Sequence, residues 1–360
     1  MSVAKEAEPA QRFLIGDRWV GMGEPVYFIA EAGVNHNGDL ARARRMIEVA
    51  HESGADAVKF QTFKTEAITT PTAPKAEYHI RTTGTDEEGS WFALLKSQEL
   101  DAAAHRELVG YAQKTGVELL STPYDEESID LLDSLEIAAF KIASTDLDNH
   151  ALLRSVAAKG RPVILSTGMS DLQEVRESLA VLLSEGQTEV VVLQCTSHYP
   201  TPLAESHVRA MVTLREELGV LVGFSDHTLE EINPVLAVGL GAVVFEKHFT
   251  LDRSLPGPDH ETSLTPDELD RTVQLVRQAC VALGDPTKRV LPSERANRDR
   301  LRKSIVPRWD LPAGTRLESA MLTAKRPGSG VPPSAMAQVE GRIVRRSLKA
   351  DELLSMDDLE

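Results

Sequence analysis

Residues 243–249 read VVFEKHF, an apolar run that ends in three ionisable side chains. A strand buried on both faces has no place for Glu246, Lys247 and His248 unless something in the protein uses them. Side chains two positions apart lie on the same face of a strand. We therefore predict that Glu246 and His248 point the same way, towards one shared site.

Seven more short apolar runs end in polar residues, and amphipathic helical patterns lie between them. Apolar strands that alternate with helices are typical of a parallel sheet. Eight such units in roughly 260 residues predict a (β/α)8 TIM barrel. An open doubly wound sheet is the alternative, although no Gly-x-Gly-x-x-Gly turn follows the first run. The eight runs are VYFIAEAG (26–33), AVKFQ (57–61), LLSTP (119–123), AAFKIAS (138–144), PVILSTG (162–168), VVVLQCTS (190–197), LVGFSDH (221–227) and AVVFEKH (242–248).

The chain divides into four predicted segments. Residues 1–25 are an N-terminal extension, 26–287 the catalytic barrel, 288–303 a basic linker and 304–360 a small β-rich domain of short strands and turns. The connection from about 62 to 98 is much longer than the other barrel connections. Long loops after barrel strands usually serve the site or are poorly ordered.

Two helices of the barrel have predicted starting points. Ser170 with Gln173, and Thr265 with Glu268, match the capping box, in which two residues three positions apart exchange side-chain and backbone hydrogen bonds. Apolar residues at helical spacing follow both pairs, which is the expected context.

Composition and charge narrow the class of protein. The net charge of −16 argues against unassisted binding to nucleic acid or to an anionic membrane. Residues 1–25 hold no apolar run after a basic start, and no apolar run reaches membrane-spanning length. Cys195 and Cys280 fit neither a disulfide framework nor a zinc site, so we expect buried free thiols. These features predict a soluble cytoplasmic protein.

Every predicted strand ends in polar side chains, where TIM barrels place their chemistry. Two lysines and several hydroxyls suit a phosphate and a carboxylate, because ammonium groups supply charge and hydroxyls donate hydrogen bonds. His227 and His248 end adjacent strands, so their imidazoles can meet around a divalent ion such as Mn or Mg. A lone histidine or lysine is more often structural, but eight polar strand ends together are poorly explained that way. The strand ends carry Glu31; Lys59 and Gln61; Ser121 and Thr122; Lys141 and Ser144; Ser166 and Thr167; Ser197 and Tyr199; Ser225 and His227; Glu246 and His248.

Seven segments in order resemble the sialic acid synthase family, including its legionaminic, pseudaminic and spore coat polysaccharide members. They are IAEAGVNHNGD, VKFQTF, KIAST, STGMSDLQE, GFSDHT, EKHFT and GPDHETS. The resemblance spans residues 28 to about 350 and includes a tail similar to the family's SAF (antifreeze-like) domain. It implies a metal-dependent aldol-type condensation of phosphoenolpyruvate with an N-acylated hexose, giving a nonulosonic acid and phosphate. The implied hexose is N-acetylmannosamine or 2,4-diacetamido-2,4,6-trideoxymannose.

The resemblance also implies roles for individual residues. Glu31 is the implied catalytic carboxylate near the reacting carbon of phosphoenolpyruvate, and Glu246 is a polar or acid group beside the sugar aldehyde. His227 and His248 are the implied ligands of a divalent metal, manganese first, with magnesium or cobalt as alternatives. The remaining implied residues divide between the substrates: Lys59, Thr122, Lys141, Ser144, Ser166 and Ser225 for phosphoenolpyruvate, and Gln61, Tyr199, Asp259 and Arg326 for the sugar.

The same resemblance implies a homodimer in which each SAF domain caps the neighbouring barrel. Arg326 of KRPGSG is the arginine implied to reach into the partner's barrel. Two features leave the sugar open. CTSHYP (195–200) places Ser197 where the family often has asparagine, and PKAEY (74–78) recurs among synthases of legionaminic acid.

Three other functions are compatible with parts of the pattern. A sugar-acid phosphate synthase uses similar chemistry but needs a second basic cluster for the sugar phosphate, which the barrel segment does not clearly contain. A metal hydrolase barrel typically carries His-x-His after the first strand, whereas VNHNG contains only His36. A non-catalytic carbohydrate-binding or spore coat protein is the third alternative. The complete set Glu31, Lys59, Lys141, His227, Glu246 and His248 argues against lost catalysis.

Overall fold

The computed structural model of the chain describes residues 8–360, so residues 1–7 of the predicted N-terminal extension lie outside it. The chain forms two compact units, one ending at Gly284 and the other spanning Asp285–Glu360. The predicted linker 288–303 therefore belongs to the second unit. Across residues 8–360, no helix is long and apolar enough to cross a membrane.

Eight parallel strands close into a barrel in which the last strand pairs with the first. All eight predicted apolar runs contain barrel strands, so the predicted (β/α)8 fold is confirmed and the open sheet is excluded. Within residues 8–360 the strands are β1 (Arg12–Ile15), β2 (Arg18–Gly21), β3 (Tyr27–Gly33), β4 (Ala57–Thr62), β5 (Glu118–Pro123), β6 (Phe140–Ile142), β7 (Val163–Ser166), β8 (Val190–Cys195), β9 (Leu221–Asp226), β10 (Val244–His248), β11 (Ser304–Pro307) and β12 (Leu322–Lys325). The barrel comprises β3 to β10.

The inward-facing positions change from apolar to polar along most of the barrel strands. On β3, Ile29 precedes Glu31, and on β10, Val244 precedes Glu246, each pair on one face of its strand. The inward apolar side chains form one buried cluster with Phe13 and other residues of the β1–β2 hairpin. The hairpin, in the described part of the predicted extension, therefore closes the barrel at the end opposite the polar layer.

Helices cover the outside of the barrel. Outward-facing Phe28, Phe60 and Phe224 pack with helical residues such as Met46 and Leu182 in a single buried layer. Burial on both faces explains why the strands read as continuous apolar runs. Within the described chain the helices are α1 (Leu40–Glu52), α2 (Thr65–Ile68), α3 (Glu77–Thr83), α4 (Trp91–Gln98), α5 (Ala102–Thr115), α6 (Glu126–Ser134), α7 (His150–Ala157), α8 (Leu172–Ser184), α9 (Ala210–Leu218), α10 (Asn233–Gly239), α11 (Pro266–Leu283), α12 (Arg295–Leu301) and α13 (Met336–Val339).

One of the two predicted capping boxes is correct and the other is wrong by one residue. Thr265 and Glu268 form the box that opens α11, as predicted. At α8 the N-cap is Asp171 rather than Ser170, and Asp171 exchanges hydrogen bonds with Glu174. A carboxylate at this position makes charge-assisted hydrogen bonds and complements the positive end of the helix dipole, which favours aspartate over serine.

The long connection after β4 is folded into three helices, α2, α3 and α4. Lys75 of the PKAEY segment is buried, and its Nζ donates to the carbonyls of Thr83 at 3.2 Å and Gly84 at 2.9 Å. Carbonyls at a helix C-terminus lack partners within the helix. Lys75 therefore fixes the end of α3, which gives the PKAEY segment a structural role.

A buried ion pair joins the carboxyl ends of β9 and β10. Lys247 Nζ lies 2.6 Å from Asp226 Oδ2 and donates to the Thr228 carbonyl at 2.6 Å. Asp226 Oδ1 accepts from the Thr228 amide at 3.0 Å and from Asn233 Nδ2 at 3.2 Å. The residue that follows each partner of the pair is a predicted metal-binding histidine. The pair therefore anchors the backbone beside both histidines.

The second unit is small and rich in β structure, as predicted. β11 pairs with β12 in antiparallel register, and isolated bridges extend the pairing elsewhere in the unit. Helix α12 lies within the predicted linker and is exposed along its length. The buried apolar core of the unit consists of Ile305, Leu311, Leu317, Leu322, Val331, Val339, Val344, Leu348, Leu354 and Leu359.

Removal of the cation from the buried ion pair should destabilise the barrel. We expect Lys247→Met to lower the free energy of unfolding by about 3–5 kcal/mol, because Asp226 would remain buried without its partner. Chemical denaturation followed by circular dichroism measures this change. The matched control is Lys96→Met, since Lys96 pairs with Glu66 at the surface and exposed pairs contribute little. Similar midpoints and slopes for both variants would contradict the expected role of the buried pair.

Candidate active site

One cavity of about 1060 Å³ is lined by side chains from the carboxyl ends of the barrel strands, where TIM barrels bind their substrates. Every site residue predicted within the barrel lines it. Arg326, the remaining predicted site residue, lies in the second unit, where its Nε donates to the Leu301 carbonyl at 3.1 Å. The predicted residues in the cavity lining are Glu31, Lys59, Gln61, Thr122, Lys141, Ser144, Ser166, Tyr199, Ser225, His227, Glu246, His248 and Asp259.

Gly33 allows three of these side chains to converge. The register of β3 shifts between Glu31 and Gly33, and Gly33 has a φ of +53°. A methyl group at this position would lie 3.3 Å from Glu31 Oε1, 3.5 Å from Gln61 Nε2 and 3.7 Å from His248 Cε1. The positive φ favours glycine at this position, and a larger side chain would also press against the Glu31 carboxylate.

Two buried ammonium groups form one side of the site. Lys141 Nζ donates to Ser166 Oγ at 2.6 Å, and Lys59 Nζ donates to Thr122 Oγ1 at 3.1 Å. Both lysines are buried, as are their hydroxyl partners. Cations accompanied by hydroxyl donors are suited to a ligand that carries phosphate and carboxylate groups.

The loop after β7 adds a backbone donor that the sequence did not single out. The Gly168 amide donates to Ser144 Oγ at 2.9 Å and contacts Cys195 Sγ at 3.2 Å. A methyl group at Gly168 would collide with Ser197 Oγ, so only glycine brings the backbone this close. The glycine of PVILSTG, directly after a polar strand end, is the signal that could have identified it. Both cysteines are free, as expected. Cys195 is also buried as expected and lines the cavity, whereas Cys280 is only partly buried.

Glu246 lies between the two lysines. Its Oε1 is 3.8 Å from Lys141 Nζ and its Oε2 is 3.8 Å from Lys59 Nζ. Ser225 Oγ donates to Oε1 at 2.9 Å. Burial raises the pKa of Glu246, but the two ammonium groups and Ser225 outweigh burial and bring the pKa down to about 2. Glu246 is therefore a fixed anion at neutral pH.

The pKa of Glu31 is raised, whereas that of Glu246 is lowered. Its Oε2 lies 2.7 Å from Lys59 Nζ. Burial raises the pKa of Glu31, the charge of Lys59 opposes the rise, and the nearby charge of Glu246 adds to it, so the pKa reaches about 7. Two carboxylates whose pKa values move in opposite directions can divide the tasks of fixed anion and proton acceptor.

His227 and His248 present two neutral imidazoles with ring centroids 5.5 Å apart. His227 Nδ1 lies 2.8 Å from the Thr196 carbonyl, which can only accept, so Nδ1 carries the proton and Nε2 keeps its lone pair. His248 Nδ1 is buried and has no hydrogen-bond partner among the described residues. Burial lowers the pKa of His227 to about 4 and that of His248 well below its usual value.

Neutral imidazoles with free nitrogen lone pairs fit a divalent transition metal. In the part of the chain that the structure describes, no three His, Cys, Asp or Glu side chains are grouped to hold a metal ion. A metal held by two histidines would have further coordination positions for water and substrate oxygens. Asp259 is near the pair, with Oδ2 at 4.0 Å from His248 Nδ1, and burial raises its pKa to about 6.

Comparison with known proteins identifies the family. The NeuB family model matches residues 46–288 and the SAF domain model matches residues 302–360. The chain is 43% identical to N,N'-diacetyllegionaminic acid synthase of Campylobacter jejuni, with 91% of this chain and 98% of the relative covered. It is 34% identical to N-acetylneuraminate-9-phosphate synthase of Mus musculus, with 98% of each chain covered.

A solved structure leads to the same family. The crystal structure of the sialic acid synthetase from Leptospira borgpetersenii, in complex with citrate, superposes with a TM-score of 0.71 at 31% sequence identity. The superposition covers 81% of this chain and 96% of that one. The resemblance found in the sequence is thereby confirmed: this chain belongs to the NeuB family of sialic acid synthases and carries a SAF domain.

Proposed function

We propose that this protein condenses phosphoenolpyruvate with an open-chain N-acylated hexose in a metal-dependent reaction that yields a sialic-type acid and phosphate. The names of its relatives support synthesis of a sialic-type acid. The observation that carries the finer proposal is one cavity that combines two buried lysines, two carboxylates of opposite character and two neutral imidazoles. N-acetylmannosamine and 2,4-diacetamido-2,4,6-trideoxymannose are the candidate sugars.

Phosphoenolpyruvate would occupy the lysine side of the cavity. Lys59 and Lys141 offset its negative charges, and Thr122, Ser144 and Ser166 donate hydrogen bonds, with Ser225 beside them. The Gly168 amide donates to Ser144 Oγ and so orients that hydroxyl. Glu246, as a fixed anion, balances the two ammonium groups before the substrate arrives. Its low pKa favours the charged role over that of a proton donor to the sugar.

The sugar would occupy the histidine side. A divalent metal held by His227 and His248, manganese first, would act as a Lewis acid on the sugar aldehyde when bound. Tyr199, with its ring centroid 4.2 Å from that of His227, is positioned to orient the sugar. Gln61 and Asp259 line the same side and can donate or accept hydrogen bonds to its hydroxyl and amide groups.

The reaction can be written with the chain's own groups. The methylene carbon of phosphoenolpyruvate attacks the aldehyde carbon with the π electrons of its double bond, so a C–C bond forms, the C=O π bond breaks and the aldehyde oxygen becomes an alkoxide. Positive charge develops at the neighbouring carbon, where the Glu31 carboxylate stabilises it and accepts a proton from the water that adds there. The proton that Glu31 accepts passes to the alkoxide oxygen. The tetrahedral carbon then releases phosphate, its hydroxyl proton leaves with the phosphate, and the carbon becomes the ketone. Lys59 and Lys141 stabilise the leaving phosphate.

The assembly and location are proposed from the family resemblance. A homodimer with exchanged SAF domains would bring Arg326 to the sugar in the partner's barrel. That contact, the choice of metal and a cytoplasmic location remain predictions.

The proposed reaction predicts phosphate release that depends on both a sugar and a metal. We expect phosphate release from phosphoenolpyruvate with manganese and one of the two N-acylated sugars, and loss of release after addition of a chelator. Mannose, which lacks the N-acyl group, is the control sugar. Sugar-independent phosphate release, or no release with either N-acylated sugar, would contradict the proposal.

The histidine pair predicts a loss of activity that accompanies a loss of metal binding. We expect His227→Ala and His248→Ala each to lower kcat by about 100-fold or more, since transition-state charge would lose its stabilisation. Titration calorimetry with manganese should show weaker binding by both variants, while circular dichroism remains unchanged. His51→Ala, on the exposed face of α1, is the matched control. A variant of the pair that retains wild-type turnover would rule out the metal assignment.

The opposite pKa shifts predict a specific role for Glu31. We expect Glu31→Gln to lower kcat by about 100-fold or more with little change in KM for phosphoenolpyruvate, because an amide neither balances positive charge nor accepts the proton of water. Steady-state kinetics at saturating sugar measure both constants. Glu118→Gln, at the amino end of β5, is the matched control and should behave as wild type. An equal loss from both substitutions, or a change confined to KM, would contradict this role.

A further inference from the structure

A row of four rings extends from the histidine pair into the long connection after β4. The Tyr199 ring centroid lies 4.2 Å from that of His227, and the Tyr78 ring lies 5.1 Å from Tyr199 in a stacked arrangement. His79 follows at 4.0 Å from Tyr78, and Trp91 at 4.2 Å from His79, stacked at an interplanar angle of 15°. All four rings line the cavity. We call Tyr199, Tyr78, His79 and Trp91 the ring row.

An apolar cluster lies in the same part of the cavity lining. Its members belong to a satellite core separate from the two cores of the barrel. Aromatic and aliphatic surfaces of this kind bind methyl groups and the C–H faces of sugars, because burying those surfaces removes apolar area from water. The apolar cluster consists of Val34, Phe63, Ile68, Leu95, Trp91 and Tyr124.

Positive charge is scarce where the connection 63–98 lines the cavity. Arg81 is the one lysine or arginine that the described residues of this connection contribute to the lining, and it already donates to the Tyr199 carbonyl at 2.8 Å. Burial lowers the pKa of His79 to about 4, so that ring is neutral. Glu77 adds a negative charge to the same lining. A phosphate group here would lose hydration against apolar side chains and would meet only one guanidinium of this connection, beside the carboxylate of Glu77.

The connection is held in place by the loops that carry the site. Arg81 and Thr82 of α3 contact the loops after β8 and β10, since Thr82 Oγ1 donates to the Pro258 carbonyl at 3.2 Å beside Asp259. Lys75 fixes the C-terminal end of the same helix. A wall that is ordered before the substrate binds can discriminate between sugars by shape, because little is lost in ordering it.

We propose that the connection 63–98, together with Val34, Tyr124 and Tyr199, is the specificity wall of this enzyme. The ring row and the apolar cluster bind the part of the sugar remote from its aldehyde, and that part carries uncharged, methyl-bearing substituents, such as a deoxy carbon and an N-acyl group, rather than a phosphate. The direction follows from the row itself, which starts at the histidines where the aldehyde binds. This inference rests on the proposed condensation, since it assigns the far end of the same sugar.

Three sugars test the wall in the full-length protein with manganese and saturating phosphoenolpyruvate. We expect kcat/KM for 2,4-diacetamido-2,4,6-trideoxymannose to exceed that for N-acetylmannosamine by about 10–100-fold, the usual range for extra apolar contact. N-acetylmannosamine 6-phosphate should give no turnover above background. Equal or better use of N-acetylmannosamine or its phosphate would overturn the inference and leave the proposed reaction intact. No phosphate release with any of the three would instead overturn the proposed reaction, and this inference with it.

Substitution of Trp91 tests whether the wall itself sets the preference. Trp91→Ala should lower kcat/KM for the trideoxy sugar by about 10-fold and change that for N-acetylmannosamine about twofold at most, so the preference falls. The KM for phosphoenolpyruvate should stay constant, and Trp91→Phe should keep most of the preference. Trp19→Ala, at an exposed tryptophan of the β1–β2 hairpin, is the matched control.

A second position keeps this test independent of the folding of one variant. Ile68→Thr, at a partly buried residue of the apolar cluster, should reduce the same preference. A preference that survives both Trp91→Ala and Ile68→Thr, or an equal loss of activity on both sugars, would overturn the role of the wall.

Discussion

The charge balance around Glu246 is the interaction on which the rest of the cavity depends. Two lysines cannot remain buried in a barrel without an anion, and Glu246 lies within 3.8 Å of both ammonium groups. Because Glu246 remains ionised, its charge adds to burial in raising the pKa of Glu31 towards neutrality. The Glu246 carboxylate therefore allows the cavity to hold two lysines that can bind an anionic substrate. It also allows Glu31 to exchange protons near pH 7.

Most barrel strands contribute apolar residues to the core at one end and site residues to the cavity at the other. Inward-facing residues near the amino ends of the strands are apolar and are covered by the β1–β2 hairpin. Inward-facing residues near the carboxyl ends carry the polar groups of the cavity. The side chains of Asp226 and Lys247 face away from the cavity, and their ion pair fixes the backbone beside the two histidines. A rigid shell of this kind allows the cavity to contain buried charges and unpartnered polar atoms that would otherwise destabilise the protein.

The sequence predicted much of the site because strand geometry is local. A spacing of two puts Glu246 with His248, and Ser225 with His227, on one face of a strand, and parallel strands bring all such faces to one end of the barrel. Gly168 was missed because its role depends on how closely its loop approaches Ser144, which no spacing reveals. The cap of α8 was misplaced by one residue because adjacent Ser170 and Asp171 are both good N-cap residues, and only the hydrogen bonds choose between them.

By itself, the sequence determined the barrel, the second β-rich domain, the polar strand ends and the family, since all of these depend on periodicity or on motifs read along the chain. Only the tertiary structure decided the opposite pKa values of Glu31 and Glu246, the ion pair behind the histidines and the ring row that joins residues 78, 79, 91 and 199. The physical reason is that pKa shifts and ring contacts depend on distances and burial among residues far apart in the chain, which exist only once the strands and the long connection have packed together.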